Sequence, residues 1–327
     1  MKNAGRKFKK FIITIVIIGV AVVASIAYFF ISNDAPLLFG KVIFKLEYKE
    51  GLTLDIYLPT NDVFEKSPVV VFFHGGAWIT GGKEVINANR FNGAVNSLRE
   101  KGYTFVCPDY TLAEYNKSPF PDCIIDAFDA LDWIANHEKQ YNFDLQNIGV
   151  FGESAGGHIA LMTAYTNDSE FLPDVNIKNI KINYVVDVYG PTEMGKLYQM
   201  ETLNKINQRL ERLPENLRKH FDIAQFLLGF DPDQDTAKVR DFIETYSPIN
   251  YIKQDSPPTL IIHGDNDQIV PIDQSIVLKQ KLDSLNVEYE FHMLENVNHG
   301  FLRASNEQKK EVQRWIADFV ESNYHIY

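Results

Sequence analysis

Asn147-Ile148-Gly149-Val150-Phe151-Gly152-Glu153-Ser154-Ala155-Gly156-Gly157 decides how the rest of this chain is read. Its first half is a short apolar run, the pattern of a buried strand. His158 to Tyr165 reads as a helix, so the G-x-S-x-G at 152–156 falls where a strand gives way to a helix. That context turns a common five-residue pattern into a nucleophile elbow. A sharp turn there pushes the Ser154 hydroxyl out over the sheet edge, and the crowded backbone leaves room only for small residues at Gly152 and Gly156. The N–H of the next residue, Ala155, faces the same space and can bind a developing oxyanion.

A serine hydroxyl is a weak nucleophile at neutral pH and needs an adjacent base. In this setting the partners follow in the order Ser, Asp/Glu, His. Leu260-Ile261-Ile262-His263-Gly264-Asp265-Asn266-Asp267 puts an acid on the loop after a strand, and Asn298-His299-Gly300-Phe301 puts a histidine after the next one. Loops at the carboxyl ends of parallel strands lie on one edge of the sheet, so the three side chains can converge. Asp267 is read as the orienting acid because Asp267-Gln268-Ile269-Val270-Pro271 gives the D-x-x-V-P turn of such loops, with Asp265 as its rival. His299 is read as the general base, since it combines a post-strand loop with a following glycine. His263 ends a strand, His158 lies on the helix after the elbow, and His292 alternates within a strand. His74-Gly75-Gly76-Ala77-Trp78 follows the apolar run Val69 to Phe73. It is either an ordinary tight turn or the second half of an oxyanion hole, with the N–H groups of Gly76 and Ala77 joining that of Ala155. In the second case His74 braces the loop.

Away from these loops, strands and helices alternate. Val42 to Tyr48 and Leu52 to Leu58 read as a hairpin around Glu50-Gly51. Strands at 69–73, 103–107, 147–151, 182–189, 259–263 and 288–294 are separated by helical patterns at 91–101, 121–137, 158–165, 274–285 and, last, 307–321. This rhythm predicts an α/β fold with a mostly parallel, twisted sheet covered by helices on both faces. It breaks at 193–245, where Leu203, Ile206, Leu210, Leu213, Leu217 and Phe221 recur every three or four positions among many charges. That block is read as an insertion of amphipathic helices into the domain at 41–327.

The chain has 327 residues, 45% of them hydrophobic and 23% charged, which excludes a disordered or fibrous protein. Two cysteines, Cys107 and Cys123, cannot build a disulfide framework, and both read as buried free thiols. The net charge is −11, yet residues 1–33 carry five basic side chains and no acid, leaving −16 on everything that follows. An acidic body has no footprint for nucleic acid. Asp231-Pro232-Asp233-Gln234-Asp235 lacks the glycine and glutamate of a calcium loop and reads as a solvated turn, so no metal site is expected. Phe11 to Ile31 is 21 residues without a charge, about 31 Å as a helix and so about a bilayer core in length. It is read as an uncleaved transmembrane anchor between a basic cytoplasmic segment, 1–10, and a linker, 32–40, with the body outside the cytoplasm. A cleaved signal peptide, giving a secreted protein, is the alternative.

With these residues in place, the sequence resembles the α/β-hydrolase superfamily, near the carboxylesterases related to hormone-sensitive lipase and the feruloyl and acetyl-xylan esterases. The matching stretches are HGGAW (74–78), DYTLA (109–113), FPDCIIDAFDALDW (120–133), GESAGGHIAL (152–161), VYGPTE (188–193), SPINYI (247–252), PPTLIIHGDNDQIVP (257–271) and NHGF (298–301). The resemblance implies an α/β-hydrolase fold with 193–245 as a helical cap. It also implies a serine carboxylesterase acting on small esters, with short acyl chains, through Ser154, Asp267 and His299 and without a cofactor. Two departures stand out. Ala77 replaces a third glycine of the hormone-sensitive branch, which pulls the reading toward the feruloyl-esterase and kynurenine-formamidase side, and Thr111 replaces a structural arginine. A peptidase or amidase of prolyl-oligopeptidase or kynurenine-formamidase type is the alternative function, and a non-catalytic binding module is a third.

Overall fold

The computed structural model describes residues 40–166, 180–198, 223–230, 232 and 235–325. The segment read as the anchor (11–31) and all of the linker (32–40) except Gly40 lie outside these residues, as do Leu203 to Phe221 of the insertion. Among the described residues no helix is long and apolar enough to cross a membrane.

Strand β3 (Ser67–Phe73) is buried at every position. A strand can be apolar throughout only if both its faces are covered. Its side chains alternate accordingly. Val69, Val71 and Phe73 join one core cluster, while Val70 and Phe72 join the other. The sheet around it holds eight strands in the order β1 (Val42–Lys49), β2 (Leu52–Tyr57), β4 (Thr104–Pro108), β3, β5 (Phe143–Glu153), β6 (Ile182–Val188), β7 (Thr259–Gly264) and β8 (Tyr289–Leu294). The β1–β2 and β2–β4 pairs are antiparallel, and all pairs from β4 through β3 to β8 are parallel.

On one face lie α1 (Asn89–Glu100), through Phe91, Val95 and Leu98, and the last helix, α8 (Asn306–Ser322), through Val312, Ile316, Phe319 and Val320. Ser305 and Gln308 start α8 with a reciprocal capping box. The other face is covered by α2 (Asp122–Asn136), α3 (Ala155–Thr166) and α7 (Asp273–Leu285). Within 193–245 the described residues form α4 (Met194–Tyr198), α5 (Ile223–Leu228) and α6 (Thr236–Thr245). Helix α5 docks on the loop before α2: Ser118 Oγ donates to the Leu227 carbonyl (2.5 Å), and Gln225 donates to Asn116 (2.9 Å). Asp235 caps α6 by accepting from the Lys238 N–H.

Two boundaries differ from the sequence pattern by three residues or more. Strand β5 begins at Phe143, four residues before the apolar run, because its first residues pair with Ser67 and Pro68 across an irregularity in register. Helix α3 begins at Ala155, three residues earlier than the pattern, because Gly156 and Gly157 are helical where their composition suggests loop. Thr111, the position where the resemblance lacks an arginine, donates its N–H to the buried Asp126 (2.7 Å), and Lys49 of β1 lies 2.6 Å from the other oxygen of that carboxylate. Cys107 and Cys123 are both buried and unbridged.

Candidate active site

Ser154 sits between β5 and α3 in the left-handed region, at φ 52°, its N–H held by the Val188 carbonyl (2.8 Å). Only a very tight turn forces a non-glycine residue there. The neighbouring glycines show how tight. A Cβ on Gly152 would lie 2.0 Å from the Gly156 carbonyl oxygen, and one on Gly156 would lie 2.0 Å from the Phe73 oxygen. Backbone meets backbone on both sides, so the Ser154 side chain has one way out, over the carboxyl edge of the sheet.

Two later loops meet it there. The loop after β7 carries Asp267, and the turn after β8 carries His299. His299 Nε2 lies 3.0 Å from Ser154 Oγ, and its Nδ1 lies 2.6 Å from Asp267 Oδ2. A carboxylate only accepts, so Nδ1 holds the proton and Nε2 presents its lone pair to the serine hydroxyl. Asp267 is buried, and its other oxygen accepts the N–H groups of Ile269 (2.8 Å) and Val270 (2.9 Å). Burial opposes its charge, but hydrogen bonds and charge from His263 and His299 outweigh burial and hold the carboxyl below the usual range. Asp265, the rival acid, is exposed and accepts instead from the Asn296 N–H (2.6 Å).

The loop after β3 reaches the same edge. Gly76 has φ 134°, and a Cβ there would lie 1.8 Å from the Thr80 oxygen. Ala77 and Trp78 follow at φ 55° and 57°, two consecutive non-glycine residues in the left-handed region. That conformation is held from outside. The Trp78 carbonyl accepts from the Ala113 N–H (2.7 Å), and its ring is packed against His158 and Phe120 at 5.1 and 5.5 Å. Ala155 opens α3, so its N–H has no acceptor within the helix. His74 is buried beneath the loop, stacked on Tyr110 (4.3 Å, 15°), whose hydroxyl donates to the His74 carbonyl.

Several residues that touch the site were not singled out by their pattern. His263 is buried beside Asp267; its Nε2 donates to the Val270 carbonyl (2.8 Å) and lies 3.4 Å from Asp267 Oδ2. The spacing His263 to Asp267 on a strand-end turn was the available signal. Tyr189, just past β6, lays its ring 4.7 Å from that of His299. Its hydroxyl donates to Glu153, the residue before the serine, and Glu153 is paired with Arg90 of α1. Arg90, Glu153 and Tyr189 are far apart in sequence, and only the fold brings them together. Among the described residues no cluster of histidine, cysteine and carboxylate could hold a metal ion.

An open α/β sheet with a strained serine at the β5–α3 turn, linked by hydrogen bonds through a histidine to an aspartate, defines an α/β-hydrolase. The chain belongs within that superfamily to the BD-FAE family, whose model matches residues 54–282. Among curated proteins it is 30% identical to a probable carboxylic ester hydrolase, LipM, of Mycobacterium tuberculosis, over 70% of this chain and 48% of LipM. It is 28% identical to an esterase of Gibberella moniliformis, over 79% of this chain and 75% of that one. The chain spans about half the length of the first curated relatives it matches. Among solved structures, a truncated carbohydrate esterase from gut microbiota superposes with a TM-score of 0.67 at 20% identity, covering 87% of this chain and 98% of that one. Est2, an esterase of Thermogutta terrifontis solved with butyrate bound, gives 0.62 at 21% identity, covering 86% and 94%.

Proposed function

We propose that this protein is a serine carboxylesterase that hydrolyses small carboxylic esters through an acyl-enzyme. The observation that carries the reading is the unbroken hydrogen-bond chain from Ser154 through His299 to Asp267. Ser154 Oγ attacks the ester carbonyl while His299 Nε2 takes its proton, and Asp267 stabilises the imidazolium. The N–H groups of Ala155, Gly76 and Ala77 receive the developing oxyanion. His299 then protonates the leaving alcohol, activates water, and the acyl group departs as the acid. The step needs no cofactor or metal. Esterase relatives support the ester rather than the amide as substrate. Short acyl chains are part of the same reading.

The same reading places the enzyme at a membrane. The uncharged run 11–31, preceded by five basic residues, anchors the chain, and the catalytic domain at 41–327 faces away from the cytoplasm, with 193–245 as the cap. The decisive experiment assays the full chain on p-nitrophenyl esters from acetyl to decanoyl, beside matched anilides, with Ser154→Ala as control. Turnover that peaks at acetyl to butyryl and vanishes in the variant is expected. Anilide turnover exceeding ester turnover would replace the esterase by an amidase. No covalent labelling of Ser154 by an organophosphonate would remove the serine mechanism.

A further inference from the structure

Glu153 is a charged group in a place where charge is costly. Its side chain is 4% exposed, and its carboxylate is gripped by the Arg90 fork through three contacts, Nε–Oε2 at 2.9 Å, Nη2–Oε1 at 2.7 Å and Nη2–Oε2 at 2.6 Å. Taking such a pair out of water gains little stability over an apolar pair of the same volume. Its surroundings suggest a different use. Glu153 precedes the nucleophile. A Cβ on Gly75 of the oxyanion loop would lie 3.2 Å from Glu153 Cγ. The Tyr189 hydroxyl donates to Glu153 Oε2, which fixes the ring that packs on His299 at 4.7 Å and on Phe301 at 5.0 Å. Tyr189 itself is pinned at φ 43°, its N–H bonded to the Ile262 carbonyl. One buried ion pair therefore touches the oxyanion loop and the nucleophile and, through one ring, the base.

We infer that Arg90, Glu153 and Tyr189 are positioning residues for His299: the hydroxyl bond sets the ring that supports the imidazole, and the two opposite charges cancel so that the imidazole works in a balanced field. This rests on the reading of His299 as general base. His299 faces Asp267 through its Nδ1 at 2.6 Å and Tyr189 through its ring at 4.7 Å; behind these stand His263, 3.4 Å from Asp267, and Glu153, which holds the Tyr189 hydroxyl and is paired with Arg90. Unbalancing the Arg90–Glu153 pair leaves the hydrogen bonds of Asp267 in place.

The sign of the imbalance supplies the test. In Glu153→Gln the shape is kept and Arg90 is left as a lone cation, which disfavours an imidazolium nearby. The acid limb of the kcat/KM profile on p-nitrophenyl acetate then moves down, by about half to one pH unit. In Arg90→Met the lone carboxylate moves the limb up by a similar amount. The double variant returns it to the parent position. In Tyr189→Phe the limb stays and kcat falls by about tenfold with KM within about twofold, the pattern of a lost orientation rather than a lost binding contact. A merely structural ion pair would lower activity in all variants and leave the limb where it was. An unmoved limb in Glu153→Gln, or shifts of the same sign in both single variants, would overturn the inference. Should Arg90→Met fail to accumulate folded, the direction in Glu153→Gln alone decides. A parent that hydrolyses no ester refutes the esterase reading, whereas an active parent with an unmoved limb refutes only this one.

Discussion

The elbow and the two loops that meet it are held in place by different physics. Around Ser154 the constraint is steric: glycine backbone lies against carbonyl oxygens at Gly152, Gly156 and Gly76, with no space for one added carbon. Around Asp267 and His299 the constraint is electrostatic: hydrogen bonds run from Ser154 through His299 to Asp267, which also accepts two backbone N–H groups and lies 3.4 Å from His263. The nucleophile is thus fixed by shape and indifferent to pH, while the base is fixed by proton positions and responsive to it. Under the proposed mechanism His299 gains and loses a proton each turnover, which suits the second kind of support, and a hydroxyl that stands still suits the first.

The largest test of this contrast removes the nucleophile. Ser154→Ala keeps the turn and should lower kcat by about 10⁵-fold or more, with an unchanged melting temperature. Asp267→Asn should leave the elbow intact and cost about 10⁴-fold in kcat by upsetting the tautomer of His299. The elbow, by contrast, should break as a fold rather than as chemistry. Gly156→Ala drives its Cβ toward the Phe73 oxygen, 2.0 Å away, and should cost more than about 3 kcal/mol of stability or give insoluble protein.

Acid should sharpen the difference further. The carboxyl of Asp267 sits below its unfolded value of about 3.9. Its contribution to stability is therefore complete above about pH 4 and is lost as pH falls toward the folded value. A melting-temperature series from pH 6 to 3 should fall in the parent and fall less steeply in Asp267→Asn. Beneath the elbow the sign reverses. Burial pushes Asp187 up to about 7, against the charge of His263 and a hydrogen bond from the Gly190 N–H. The folded form keeps a proton that the unfolded chain gives up, so stability declines from about pH 4 to pH 7 and then levels. Asp187→Asn should melt above the parent at pH 8, with the gap closing toward pH 4.

The same contrast explains what could be read from the sequence. The elbow is a local affair: strand, glycine, serine, glycine and helix are contiguous, and each residue type follows from the crowding. Asp267 and His299 were legible because each lies a few residues past an apolar run, and parallel strands bring such ends together. The acid loop still left Asp265 as a rival, since the choice depends on which carboxylate turns inward, a fact of packing. Arg90, Glu153 and Tyr189 were illegible as a unit because their meeting depends on α1 crossing behind β5 and on the turn after β6. The early start of α3 at Ala155 was hidden by glycines chosen for clearance. The anchor and most of the insertion, read from their composition, lie outside the described residues.

The two cysteines carry a practical consequence. Cys107 on β4 and Cys123 on α2 are both fully buried, and burial pushes both thiols well above their ordinary range. A thiol must ionise to react. Neither should take up maleimide until its surroundings open, so labelling clocks the opening of the two faces of the sheet. Cys107 belongs to the cluster under α1 and α8, and Cys123 to the one under α2 and α3. The chain thus comes with one natural stopwatch on each side of its sheet.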